Sequence, residues 1–225
     1  YSNPMGLEGL LMQYPLSWCF RIGLVLVCAV LAFLGWEGSS RVSYTLRRLS
    51  VGHRALTLLW AGYGFFCLLF FWAAHLSTLL ALCAAALPRL APEFSGPQAL
   101  FLACYRDPYL HSLLPLDDCL LWVRNLSMCA ALGTAAASFS FQRRMGRRAF
   151  AILPLAALSA LCFPLPMGSF EFGGPAEFLR PYLYDGIFYS ADGLPSVLGP
   201  VLLFVSLCAL AASLCQILRR DPYEE

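Results

Sequence analysis

Apolar residues in this chain come in long unbroken runs rather than in the stripes of an amphipathic surface helix. Five runs, approximately 16–36, 55–87, 119–141, 149–167 and 197–218, approach the ~20 residues that a helix needs to cross a ~30 Å hydrocarbon core. The second run, about 33 residues, would reach about 50 Å as one helix at about 1.5 Å per residue. It is expected to tilt, to project from the bilayer or to break near Gly62 and Gly64. The fourth run is short and carries Pro154, Pro164 and Pro166, which predicts a kink. The pattern predicts an all-α integral membrane protein: one transmembrane domain over residues 1–225, built as a five-helix bundle.

The polar positions between the runs give an orientation, because basic loops stay on the side from which insertion starts. Arg41, Arg47, Arg48 and Arg54 lie between runs one and two, Arg143, Arg144, Arg147 and Arg148 between three and four, and Arg219 and Arg220 after five. The opposite loops are acidic or neutral, holding Glu93, Arg106, Asp107, Asp117 and Asp118, and then Glu171, Glu177, Arg180, Asp185 and Asp192. The N-terminus is therefore expected outside and the C-terminus inside. The two outer loops, about 88–118 and 168–196, are rich in Pro, Gly, Tyr and Phe and are expected to pack on the membrane surface or on a partner.

Composition agrees with the pattern. Hydrophobic residues make up 60% and charged residues 12%, with a mean hydropathy of +0.68. A soluble domain carries about 25% charged residues, so a water-facing surface could not be covered. A net charge of +2 also gives no footprint for nucleic acid. All 15 basic residues are arginine, whose fixed fork suits lipid phosphates and buried carboxylates. Of 10 cysteines, Cys19, Cys28, Cys67, Cys83, Cys129, Cys162, Cys208 and Cys215 lie in or beside the apolar runs and read as small buried hydrophobes. Cys104 and Cys119 lie on the outer side, where a disulfide is chemically open to them. The Tyr1-Ser2 start reads either as a remnant before Met5 or as the end left by mitochondrial processing, which would make the arginine-rich side the matrix.

Few polar residues fall inside the runs. Arg124, in Leu-Leu-Trp-Val-Arg-Asn-Leu-Ser, is the main intramembrane charge. It is expected to snorkel towards Asp117 and Asp118, which can cap the same helix, or towards lipid phosphate. The alternative makes Arg124, Asn125 and Ser127 the lining of an ion path. His75, deep in run two, reads as an interhelical hydrogen-bonding group. Haem ligation would need a second histidine at its depth, and His53 and His111 fall in loops on opposite sides. Arg21 is expected to anchor on lipid headgroups, as are Arg143, Arg144 and Arg147; Glu37 can pair with Arg41. Small residues such as Gly133/Ala137 and Ala156/Ala160 predict close helix packing, while the bulky Leu68–Trp72 section is expected to face lipid or a partner subunit.

No metal spacing, phosphate loop or nucleophile motif occurs, so neither an enzyme nor a metal site is expected. The reading is a non-catalytic multi-pass subunit of a mitochondrial inner-membrane complex, of the respiratory chain or ATP synthase, with other membrane subunits as partners and bound phospholipid such as cardiolipin. The alternative is a proton- or ion-translocating subunit using Arg124 or Arg148. Five spans with the N-terminus outside, and Arg148-Ala149-Phe150-Ala151, resemble the ATP synthase a subunit and its Arg-Leu-Phe-Ala/Gly-Asn motif. Ile152 stands where that motif has asparagine, and the family's function is not carried over.

Overall fold

The computed structural model describes residues 7, 16–34, 53–90, 96, 98–116, 118–144, 152–163 and 194–219. Seven α-helices occur among them: α1 (Leu16–Leu34), α2 (His53–Ala86), α3 (Ala99–Arg106), α4 (Pro108–Leu113), α5 (Cys119–Arg144), α6 (Ile152–Cys162) and α7 (Leu194–Arg219). A short 3-10 turn, Leu87–Arg89, continues α2. No strand occurs among the described residues. Four helices, α1, α2, α5 and α7, are long and apolar enough to cross a membrane. This is an integral membrane architecture.

Of the fourth expected span, 149–167, only residues 152–163 are described. α6 has 11 residues and rises only about 16 Å, half the hydrocarbon thickness. Pro154 falls in its first turn, where a missing N–H costs nothing. At the other end Phe163 precedes Pro164, and a residue before proline is pushed out of the helical region.

α5 lies at the centre, packed against α1, α2, α6 and α7. It is the least apolar of the four long helices and the most buried, with hydropathy 1.3. In lipid this inversion is expected, because polar side chains must find partners among helices rather than in solvent. Thr134 donates back to Ala130 O at 2.9 Å, Ser140 approaches Ala32 O of α1 at 3.3 Å, and Ser138 donates to Gln216 Oε1 of α7 at 3.1 Å. The amide of Gln142 donates to that same oxygen at 2.7 Å. These contacts join C-terminal ends to C-terminal ends, so α5 runs parallel to both α1 and α7.

Against α2 the small residues act most directly. A Cβ built on Gly133 would stand 2.6 Å from Phe65 N and 3.1 Å from Ala61 O. The two helix backbones therefore touch at Gly64 and Gly133. The expected break near Gly62 and Gly64 does not occur: α2 is one helix of 34 residues, and Gly64 serves the crossing instead of a bend. Ala137, Ala156 and Ala160 are buried as their spacing implied. The Leu68–Trp72 section does not face outward as a block. Leu68 and Trp72, four residues apart, turn into the core while Phe70 is 76% exposed, because a helix carries i and i+4 on one face.

The first outer loop, where described, folds into α3 and α4, which pack on α2. Asp107 starts α4 by accepting from Leu110 N at 2.8 Å, so His111 is a buried helical residue rather than a loop residue. Of the second outer loop, expected over about 168–196, residues 168–193 lie outside the described residues and 194–196 begin α7. Cys28, Cys83, Cys129 and Cys162 are buried as expected, but Cys19, Cys208 and Cys215 are exposed on the helix flanks.

Candidate functional site

Besides the Ser138, Gln142 and Gln216 set, a larger group of polar side chains gathers where α1 begins, α2 ends, α5 begins and α6 ends. Short helices create the need for them. The last carbonyls of any helix lack intrahelical donors, and both α4 and α6 end here, inside the fold, where water cannot serve. Arg124 and Asn125 meet that need together. Arg124 Nη2 donates to Phe163 O, just past the end of α6, at 3.0 Å. Asn125 Nδ2 donates to Ser112 O, in the last turn of α4, at 2.8 Å. The two side chains are also joined: Arg124 Nε and Nη2 both donate to Asn125 Oδ1, at 3.1 and 3.0 Å. Two indoles complete the set, Trp72 Nε1 to Leu113 O at 3.1 Å and Trp122 Nε1 to Pro115 O at 2.6 Å.

Arg124 therefore does not snorkel. Its side chain is 0% exposed, with the guanidinium carbon 5.7 Å from the Phe163 ring centroid. A cation at a helix C-terminus is also favoured by the helix dipole, and the Asp118 carboxylate attracts it from the start of α5. Asp118 caps α5 as expected, accepting from Leu120 N at 2.8 Å and Leu121 N at 3.2 Å. Asp117 lies outside the described residues. Ser127 is buried, and its hydroxyl donates to Arg124 O of its own helix at 2.9 Å.

His75, the second intramembrane candidate, lies on the same network. Its Nε2 is 2.6 Å from the Tyr109 hydroxyl, which reaches Leu16 O of α1 at 3.4 Å. Phe20 bridges the two candidates, 5.2 Å from the imidazole centroid and stacked at 4.3 Å on Phe163. The interhelical hydrogen bond expected for His75 is thus made, to a residue of the first outer loop. Burial, with the Cys19 thiol and Asp107 adding to it and Arg21 opposing, holds the Tyr109 hydroxyl protonated well above the usual phenol range.

Arg21 is half-buried with its guanidinium carbon 5.0 Å from the Trp18 centroid, and Arg143 similarly lies 5.5 Å from Phe139. Arg147, Arg148 and the side chain of Arg144 lie outside the described residues, as do Glu37 and Arg41. Among the described residues no group of three or more His, Cys, Asp or Glu side chains could hold a metal. Ser112, Phe163, Trp72, Trp122 and Tyr109 were not singled out in the sequence. Only the indoles carried a signal, since a buried Trp N–H must find an acceptor.

Cys104 and Cys119 are both free thiols, the first buried and the second exposed. Burial and then the Asp107 carboxylate raise the Cys104 thiol above its ordinary range. The thiolate is the reactive form, so at neutral pH a maleimide is expected to spare Cys104. Its labelling should begin only at a pH above that of an ordinary thiol. Asp107→Asn removes one of the two causes and should move that onset to lower pH. Mass mapping of labelled peptides against pH checks both. Labelling of Cys104 at neutral pH in the folded protein would refute the assignment.

No family model, curated protein or solved structure matches the chain.

Proposed function

We propose that this chain is a non-catalytic, multi-pass subunit of a mitochondrial inner-membrane complex, of the respiratory chain or ATP synthase, that contributes helix and lipid packing. In this reading residues flanking α6 complete a fifth span, the N-terminus faces the intermembrane space and the arginine-rich loops face the matrix. Bound phospholipid, cardiolipin included, and neighbouring membrane subunits cover its flanks.

One observation carries the reading. The intramembrane charge that would serve an ion path, Arg124, is wholly enclosed and donates to the carbonyl that ends α6 and to Asn125. A conducting arginine must be reachable from water on at least one side; a tie between helices need not be. The outward faces support the assembly part. Along α2 alone Leu58, Leu59, Tyr63, Phe66, Phe70 and Leu82 are exposed, a broad apolar flank suited to lipid or to other spans.

The test is assembly. In native separation of gently solubilised inner membranes, the tagged chain is expected within a particle much larger than itself. Arg124→Ala should lower the amount of that particle without lowering proton flux per assembled particle. A chain that migrates alone, or a normal amount of particle with lost flux, would favour the translocating alternative.

A further inference from the structure

Arg21 contrasts with Arg124. It lies in the second turn of α1, its Nε is covered without a hydrogen-bond partner, and no ion pair or hydrogen bond of its guanidinium is made among the described residues. Trp18, one turn earlier, is 57% exposed, and its ring supports the guanidinium at 5.0 Å. The indole N–H likewise donates to no described residue. Two donor groups, one of them cationic, thus stand on adjacent turns of a membrane-spanning helix with their hydrogen-bonding capacity unspent. A charge in that position requires an anion. Below them the flank of α1 is apolar and open, with Ile22, Leu26 and Val30 exposed at successive turns.

We propose that Arg21 and Trp18 form a site for one anionic phospholipid, with the phosphodiester on the guanidinium and indole N–H and an acyl chain along Ile22, Leu26 and Val30. The fork of arginine matches two phosphate oxygens, and tryptophan places its N–H at headgroup level with its ring in the hydrocarbon. Net negative charge on the lipid is required because no carboxylate among the described residues pairs with Arg21 to neutralise it. The site deepens the lipid-packing part of the proposed function. It rests only on α1 spanning the membrane, so it survives if the chain belongs to no larger complex, and its failure would leave that membership open.

Native mass spectrometry of the full chain, released from phosphatidylcholine micelles with increasing phosphatidylglycerol, reads the apparent affinity of the first retained anionic lipid. Arg21→Gln is expected to weaken that binding about fivefold or more, the factor contributed by one arginine near a charged membrane surface. Arg21→Lys should restore part of it. Unaltered affinity in Arg21→Gln overturns the proposal. Displacement of the lipid by inorganic phosphate would also overturn it, since a free anion would then suffice. If Arg21→Gln does not fold, Trp18→Leu carries the test: weaker binding supports the site and unchanged binding overturns it.

Discussion

Gly133→Ala is expected to lower stability by about 2–3 kcal/mol, the upper part of the range for overpacking a filled interior. The added methyl would stand 2.6 Å from Phe65 N and 3.1 Å from Ala61 O. Both are backbone atoms of α2, so no side chain can rotate to relieve the clash. The helices must separate, and every contact along the largest interface of the fold loosens with them. Gly62→Ala supplies the control. A Cβ there meets nothing within 4 Å, and removing a helical glycine is worth about 0.5–1 kcal/mol in the stabilising direction. Thermal unfolding of both variants in one detergent checks the pair. Equal behaviour would show that α2 and α5 do not cross at Gly64 and Gly133.

Arg124→Ala should cost about 3–5 kcal/mol, because it combines a core cavity with the loss of donors to buried acceptors. The Phe163 carbonyl and Asn125 Oδ1 would each lose an arginine donor. Arg124→Gln keeps one donor and most of the volume, and it also removes the cost of enclosing a charge. Its loss should therefore be less than half as large. The damage should be local first. Amide exchange in the last turn of α6 and in α4 should rise before exchange at the Gly133 crossing. Uniform loss of protection across α5 would contradict a role for Arg124 as the tie that holds α4 and α6.

The long helices were legible because in lipid an unbroken apolar run has few other fates. α1, α2, α5 and α7 lie close to where the runs placed them. The packing of α5 was legible for a related reason: Gly133 and its neighbouring alanines have little use except close approach. What could not be read was which way a side chain turns. Snorkelling and inward capping of Arg124 differ by a rotation, and the choice depends on carbonyls set free by the ends of α4 and α6. Those ends are products of tertiary structure. The end of α6 depends on Phe163 preceding Pro164, and the start of α4 on Asp107. The same reason hid Tyr109, whose hydroxyl matters only once α4 folds back beside His75. For α2 the sequence offered two meanings of glycine, a bend or a contact, and the facing Gly133 decides for contact at Gly64.

The central claim is that Arg124 holds helices together and moves no ions. Purified chain reconstituted in liposomes, with a membrane potential imposed and internal pH followed by a trapped dye, tests it most directly. The account predicts proton flux no greater than in protein-free liposomes, for the native chain and for Arg124→Gln alike. Potential-driven flux through the native chain that Arg124→Gln abolishes would contradict it.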